Sequence, residues 1–446
     1  MPPRVAFIAA VRSLEHHALA APAARCRRPP RARSPGWGEN DHPARSSGFS
    51  IALAFITQET DMRSFIRTLL ILGLLLSSAA LAHAQDGTPA TSTSPSAGLT
   101  VVLDGVTNPR GFTWGTDGTL YLALAGNGGD ARFPIVEGYT VVTGLTSSVV
   151  TVADGCATPL VPGLVSTLWE EMGWVWGAMD VAVLDGDLYL LLSGAGPTWG
   201  SPSASSGVFR RNDDGTLTLV GDISTWLVTH PPAFVPPDYA TDGSLFDLEA
   251  TSDALLVSEA VGGQIIRITP DGEMSTLADL SEQHPVPTGI AVDADDNVYV
   301  TFETTPPYAD GSNKVVKIAP DGTVTDAWTG LTRVADLEFG PDGKLYAAEL
   351  STNNTESFPF VHPHTGRIVR QSGPDTMEII AEGLDFPVGL GFDGNGVLYV
   401  SGPANGATPE DGANVGAGWL ARVELDGAEA AAMASPTCMS MATPAS

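Results

Sequence analysis

Between residues 99 and 427, apolar and polar positions alternate in short runs, and the pattern recurs six times. Each unit opens with Gly or Asp and an alternating run, and an aromatic-rich run follows across a tight Asp/Gly turn. Alternation with a period of two between turn residues predicts antiparallel β-hairpins. The six openings are Gly111–Trp114, Asp180–Val183, Asp247–Ala250, Gly289–Val292, Asp336–Phe339 and Gly389–Phe392.

A second hairpin completes each unit, most clearly residues 264–280 around the turn at Asp271-Gly272. Four antiparallel strands repeated six times predict the blades of a β-propeller. The last unit ends near Leu425 without an outer strand, and the run 99–106 offers the missing strand at the other end of the chain. We therefore predict an all-β, six-bladed β-propeller with four-stranded antiparallel blades over residues 99–427. Strand 99–106 completes the last blade, because this pairing removes two exposed sheet edges.

The segment from 62 to 84 has the order of a secretory signal peptide. Two arginines follow Met62, an apolar run spans residues 69–81, and an Ala-x-Ala sequence ends at Ala84. This order predicts export and cleavage after Ala84, which places the mature protein in the periplasm, at the cell surface or outside the cell. An uncleaved internal anchor is the alternative.

Three further segments lack a repeat pattern. Residues 1–61 are rich in arginine, and we predict a non-native extension ahead of a true start at Met62. Residues 85–98 predict a Ser/Thr/Pro-rich linker, and residues 428–446 predict a disordered tail of the same character.

Charge divides the chain in the same way. The whole sequence has 22 basic and 51 acidic residues, whereas the part after Ala84 has 12 and 46, a net charge of −34. Such a chain lacks the Lys/Arg clusters that neutralise phosphates, so we predict no nucleic-acid partner and, after signal cleavage, no membrane partner. We expect a monomer. Three cysteines are too few for a disulfide scaffold; Cys156 and Cys438 can pair in an oxidising compartment, or Cys438 is a free thiol.

The segments NPRGFTWGTDGTLYLALAGNGGD, GQIIRITPDGEMSTLADL and PVPTGIAVDADDNVYV resemble NHL-type propellers. Taken in order, they are similar to the ScyD/ScyE family of exported bacterial proteins, over roughly residues 99–425. The resemblance implies a six-bladed propeller and export. In some members it implies a periplasmic role in the late maturation of an indole-phenol pigment. The blade motifs themselves are structural and imply no reaction.

Insertions are concentrated in one set of loops. In a four-stranded blade, the loops after strands one and three lie on one face and the remaining loops on the other. The first set consists of tight turns, and the second holds residues 125–146, 165–177, 194–206, 224–245, 303–312, 350–365 and 402–417. Long loops on a rigid scaffold usually carry function. Five tryptophans fall in them: Trp169, Trp174, Trp176, Trp199 and Trp226. They predict a site for a small aromatic or apolar molecule, or for an extracytoplasmic protein. The alternative is that the loops bury their own tryptophans.

Carboxylates form a second candidate group. Blades three and five open with Asp-Leu-Glu, which places two acids on one side of the innermost strand. The full candidate set is Asp180, Asp247, Glu249, Glu259, Asp336, Glu338 and Glu349. Carboxylates gathered at a channel mouth repel one another unless a cation offsets them, and hard oxygen ligands favour Ca²⁺. The alternative is that these acids accept backbone N–H groups of the neighbouring blade.

These features leave three hypotheses about function. The first is an exported binding protein, and the second is a Ca²⁺-dependent lactonase or esterase resembling the gluconolactonase-type propellers. Blades three and five offer no aligned Asn to complete the ligand set of that group. The third, a quinoprotein sugar dehydrogenase, lacks a cationic cluster for its cofactor. The sequence contains no G-x-S-x-G, Walker, dinucleotide-binding or H-E-x-x-H motif.

Overall fold

The computed structural model describes residues 98–136, 139–404 and 417–425. The predicted extension 1–61, the signal peptide 62–84, linker residues 85–97 and the tail 428–446 lie outside these residues. Within the described ranges, no helix is long and apolar enough to cross a membrane.

The described chain is built from β-strands arranged in six sheets. Blade one contains β2 (Pro109–Trp114), β3 (Leu120–Leu124), β4 (Ala131–Val136), β5 (Tyr139–Ala153), β6 (Cys156–Trp169) and β7 (Trp174–Trp176). Blade two contains β8 (Ala178–Leu184), β9 (Asp187–Leu192), β10 (Gly207–Arg211) and β11 (Leu217–Asp222). Blade three contains β12 (Leu245–Ala250), β13 (Leu255–Glu259), β14 (Gln264–Ile268) and β15 (Met274–Asp279). Blade four contains β16 (Pro287–Val292), β17 (Val298–Phe302), β18 (Asn313–Ile318) and β19 (Val324–Leu331). Blade five contains β20 (Val334–Phe339), β21 (Leu345–Glu349), β22 (Gly366–Gly373) and β23 (Thr376–Leu384). Blade six contains β24 (Gly389–Phe392), β25 (Leu398–Gly402), β26 (Gly418–Val423) and β1 (Leu99–Val106).

The N-terminal strand closes the ring. β1 pairs antiparallel with β26, with Leu99 opposite Val423 and Val106 opposite Gly418. The six innermost strands β2, β8, β12, β16, β20 and β24 each contact the next, and β24 contacts β2. This confirms the prediction of six blades and of closure by strand 99–106. Joining the two ends of the chain in one sheet gives β26 a strand partner on both sides.

The core lies between adjacent blades. Tyr189 and Leu191 of β9 pack with Val257 of β13 and Ile266 of β14, which belong to the next blade. Successive side chains of a strand point to opposite faces of its sheet. A blade flanked by two others is therefore apolar on both faces, as in β13, where all five residues are buried.

Tight turns on one face are closed by aspartate side chains. Asp117 accepts a hydrogen bond from the backbone of Thr119, and Asp321 accepts one from Thr323, both at 2.9 Å. These hydrogen bonds lower the pKa of both carboxyls below its usual value. The conformational role that the sequence indicates for the turn acids is therefore confirmed at these positions.

The insertions on the opposite face are more ordered than the sequence predicts. Residues 125–146 and 165–177 were expected as loops, yet β4, the first half of β5, the end of β6 and β7 form a hairpin that extends blade one. Nine of the 15 residues of β5 are Val or Thr, β-branched residues that favour strands, which explains why the strand runs on. The 224–245 insertion contains helix α1 (Ile223–Thr229), whose first turn is capped by the Asp222 side chain, and Pro197–Trp199 forms a short 3-10 helix.

Candidate functional site: carboxyl groups at the central channel

The innermost strand of each blade is an edge strand, so half of its backbone N–H groups face the channel without a strand partner. The pairing of this strand with its neighbour is irregular next to the Asp or Gly that opens the unit. Register shifts occur between Pro109 and Phe112, Ala178 and Asp180, Leu245 and Leu248, Pro287 and Ile290, and Val334 and Asp336. A bulge of this kind re-aims a side chain, which here is the side chain of the opening residue.

Three aspartates use this position to bind the next blade. The contacts run from Leu248 N–H to Asp180 at 3.0 Å, Ile290 N–H to Asp247 at 2.6 Å and Leu390 N–H to Asp336 at 2.7 Å. Each carboxyl thus satisfies an edge N–H of the following blade. The geometry therefore supports the alternative in which these three acids accept backbone N–H groups of the neighbouring blade.

The other three blades have glycine at the same position because the neighbouring blade approaches too closely. A Cβ on Gly111 would lie 1.7 Å from Oδ1 of Asp180, and one on Gly289 would lie 2.7 Å from Cα of Asp336. A Cβ on Gly389 would lie 2.7 Å from the carbonyl oxygen of Arg110. The difference between Asp and Gly blades therefore has a structural cause.

The aspartates are electrostatically linked. Burial raises the pKa of Asp180, Asp247 and Asp336, and the charges of Asp247 and Asp336 raise the pKa of Asp180 further. The interaction between the Asp180 and Asp247 carboxyls raises the pKa of the first and lowers that of the second, so the two groups titrate as a pair.

Two glutamates lie on the same strands as two of these aspartates, two residues further along each strand. Glu249 follows Asp247 by two residues and Glu338 follows Asp336 by two, so each shares its aspartate's side of the strand. Burial raises the pKa of both, to about 7 for Glu338. The charge of Glu338 raises the pKa of Glu249 further. The channel therefore holds five interacting carboxyls whose pKa values are all raised by burial.

These carboxyls do not form a ready-made cation cage. Within residues 98–136, 139–404 and 417–425, no group of three or more His, Cys, Asp or Glu side chains is arranged to hold a metal ion. Both oxygens of Asp180 and both of Asp336 already accept backbone N–H groups. The calcium site therefore remains a prediction.

The structure places Glu259 and Glu349 away from the cluster of channel carboxyls to which the sequence assigns them. Each ends the second strand of its blade and accepts a backbone N–H from the segment entering the first strand, from Ser244 at 3.0 Å and Thr332 at 2.6 Å. Glu349 also pairs with Arg367. Their location in the channel cluster was predicted from matching strand positions and is wrong, because residues at the end of strand two face the loop that enters strand one.

The five tryptophans mostly pack against one another. Ring centroids lie 5.8 Å apart for Trp169 and Trp174, 6.4 Å for Trp174 and Trp176, and 4.8 Å for Trp176 and Trp199. Trp226 stacks on His230 at 4.3 Å. Trp169, Trp199 and Trp226 are 2%, 4% and 8% exposed, so the expectation that they are exposed is wrong for these three. The alternative, in which insertions bury their own tryptophans, describes this cluster.

Smaller apolar side chains are exposed on the same insertions. They are Phe133, Leu145, Val228, Phe234, Val235 and Phe358, each between 38% and 68% exposed. These residues lie in segments without a repeat pattern, so the repeat gives no sign of them. The one sequence feature that could have indicated their exposure is that each lies within an insertion.

One buried ion pair was also missed. Arg333 donates to Glu303 at 2.5 and 2.8 Å and lies over the ring of Tyr308, 4.4 Å from its centroid. The pair ties the insertion after β17 to the segment entering β20. Cys156 is disulfide-bonded, and its predicted partner Cys438 lies outside the described residues.

Known proteins that are similar to this chain are distant from it in sequence. No family model matches the chain. A virginiamycin B lyase from Nocardia farcinica is 28% identical over 245 residues, which cover 50% of this chain and 78% of the relative. The chain has the fold of a six-bladed β-propeller.

Solved structures of similar shape include other propellers. A virginiamycin B lyase from Staphylococcus aureus has a TM-score of 0.38 at 14% identity and covers 71% of this chain and 95% of its own. A gluconolactonase from Xanthomonas campestris has a TM-score of 0.44 at 15% identity and covers 73% and 90%. At such identities the likeness concerns the fold and not the chemistry.

Proposed function

We propose that this propeller is an exported binding protein of the ScyD/ScyE kind, which takes an apolar or aromatic ligand on its insertion-bearing face. The ligand is a small molecule or an apolar segment of an extracytoplasmic protein. The observation that carries the proposal is the one-sided distribution of exposed apolar side chains. Six of the ten large hydrophobic residues exposed in the described chain lie in the insertions.

Physical reasoning connects this distribution to binding. Each exposed apolar side chain leaves surface in water that burial would stabilise by about 25 cal/mol per Å². Single exposed apolar residues are ordinary, whereas several on one face of a rigid scaffold are typical of a recognition surface. The packed tryptophans support this surface from below, because Trp199 contacts the insertion that holds Phe133.

The test uses the tryptophan cluster as a fluorescence reporter. Indole and p-cresol serve as small aromatic probes, and the fluorescent dye ANS serves as a general apolar probe. We expect saturable changes in tryptophan emission that weaken in Phe234→Ser combined with Phe358→Ser. Equal substitutions at Val324 and Ile379, which are exposed on outer strands, form the matched control. Equal weakening in both pairs, or no saturation in the wild type, would refute the proposal.

Export is tested separately. The expected N-terminus of the protein recovered from the periplasm or medium is Gln85, which follows the predicted cleavage site. An N-terminus at Met1, or retention of residues 62–84 in a membrane fraction, would contradict the predicted processing.

A metal-dependent lactonase or esterase is the second candidate, and the five linked channel carboxyls are the observation that favours it. A screen of lactones and aryl esters, with and without EDTA, separates it from the binding proposal. Virginiamycin B belongs in the same screen, since a relative is named for it. Turnover that EDTA abolishes and that Glu249→Gln removes would replace the binding proposal.

A further inference from the structure

A group of polar side chains gathers at the edge of blade three, away from the channel carboxyls. Asp238 and Tyr239 come from the insertion after α1, Gln264 begins β14, and His284 lies in the segment between β15 and β16. We call these four residues the rim group. Three separate stretches of chain contribute to it, so the sequence pattern gives no sign of it.

Each member of the rim group has a buried polar atom without a hydrogen-bond partner among the described residues. The atoms are Oδ1 of Asp238, Oη of Tyr239, Oε1 of Gln264 and Nε2 of His284. Gln264 is 3% exposed. Native proteins leave only a few such atoms per hundred residues, because each one costs about 1 to 3 kcal/mol. Four in one place indicate that something polar completes them.

Contacts place the four side chains around buried Glu259. Nε2 of His284 lies 3.6 Å from Oδ1 of Asp238, which is too far for a hydrogen bond. Glu259 is directly opposite Gln264 in the pairing of β13 with β14. A Cβ on Gly262 would lie 2.2 Å from Oε2 of Glu259 and 2.9 Å from the Tyr239 ring, so glycine leaves the two side chains room to meet.

The rim group lies close to the surface, although its four unpartnered atoms are themselves buried. The side chains of His284 and Asp238 are 16% and 26% exposed. The backbone N–H of Phe234, which is 47% exposed, is held by the side chain of Ser281 at 2.9 Å, beside the turn that carries His284. Three residues of that turn have positive φ, Gln283 at 69°, His284 at 54° and Val286 at 61°. Non-glycine residues held in this region store about 1 to 3 kcal/mol each and are concentrated at ligand sites.

The atoms themselves define the ligand. Asp238 and Gln264 offer acceptors, Tyr239 offers a donor, and the imidazole nitrogen serves either role. An anion is disfavoured by Asp238 and by buried Glu259, and a simple cation would leave the Tyr239 hydroxyl without an acceptor. Adjacent hydroxyl groups donate to the two acceptors and accept from the phenol at once. We propose that the rim group binds a neutral ligand with adjacent hydroxyl groups, such as a sugar or a polyol.

This site is independent of the apolar surface in the proposed function, and either can fail while the other holds. D-glucose and myo-inositol are the probes, and saturation-transfer NMR of the purified protein measures their binding. We expect saturable signals. Tyr239→Phe should weaken affinity three- to tenfold, which corresponds to the loss of one hydrogen bond. Tyr121→Phe, on β3 of blade one, is the matched control and should bind as the wild type does.

Stability measurements guard against a purely structural effect. Because the Tyr239 hydroxyl has no protein partner among the described residues, Tyr239→Phe should melt at the same temperature as the wild type or higher. His284→Gln tests a second contact in the same titration and should also weaken binding. The proposal is overturned if neither probe saturates at about 50 mM, well above a millimolar Kd. It is also overturned if Tyr239→Phe binds unchanged, or if a crystal soaked with the probes shows only water at the four atoms.

Discussion

Replacing Glu338 by Gln tests whether the channel carboxyls store protons. The substitution keeps the size of the side chain and an oxygen that can accept the N–H of Phe339, as Glu338 does at 2.9 Å. It removes only the ionisation. Burial raises the pKa of Glu338 from 4.5 to about 7 in the folded protein. The folded state therefore holds a proton that the unfolded chain releases, and the free energy of unfolding falls as the pH rises from 4.5 through about 7.

The magnitude follows from the two pKa values. Their difference corresponds to about 3 kcal/mol above pH 7, and water in the channel reduces the effect. We expect Glu338→Gln to exceed the wild type by about 1 to 3 kcal/mol at pH 8 and to equal it near pH 4.5. For a propeller of this length that difference raises the melting temperature by about 2 to 4 °C.

Differential scanning calorimetry across pH 4.5 to 8, without divalent cations, measures the effect. Glu273→Gln, an exposed glutamate in the turn between β14 and β15, is the control and should follow the wild type at every pH. A Glu338→Gln protein that is less stable than the wild type at pH 8 would refute the reasoning. So would a stability difference that does not change with pH.

Further substitutions test the packing of the ring and the calcium hypothesis. Gly111→Ala should lower the free energy of unfolding by about 1 to 3 kcal/mol, because its Cβ displaces the Asp180 carboxyl. In a double-mutant cycle with Asp180→Ala, the double mutant should lose less stability than the two single mutants lose in total. Leu103→Ala, buried between blades six and one, should cost about 2 to 5 kcal/mol in urea unfolding. Val324→Ala, 45% exposed, should cost little, and equal costs would contradict the role of β1 in closing the ring. Millimolar Ca²⁺ should raise the melting temperature of the wild type and not that of Asp247→Ala with Asp336→Ala; no shift in the wild type would remove the calcium hypothesis.

Local patterns allowed much of the fold to be predicted. Blade number, strand order and the turn aspartates all depend on residues close together in the chain, where alternation and turn chemistry act directly. Closure by β1 was also predictable, because a missing outer strand at one end matched an unpaired run at the other. The extension of β5 was missed, since a long segment rich in Val and Thr was interpreted as an insertion.

The candidate site could be predicted only in part. The sequence correctly grouped Asp180, Asp247 and Asp336, because they occupy the same position in related units. It placed Glu259 and Glu349 with them, although each faces the segment entering its own blade. It left open whether Trp169 and Trp199 are exposed or buried, because the two residues meet only where separate insertions fold over the same edge.

The sequence alone determined that this chain forms a closed ring of six blades with one plain and one elaborated face, since those features repeat along the chain. Tertiary structure decided what the polar and aromatic side chains do. The partner of each channel aspartate lies on the next blade, 43 to 68 residues further along the chain. Whether such a position holds Asp or Gly depends on how closely two backbones approach, and the rim group exists because three distant segments converge on Glu259.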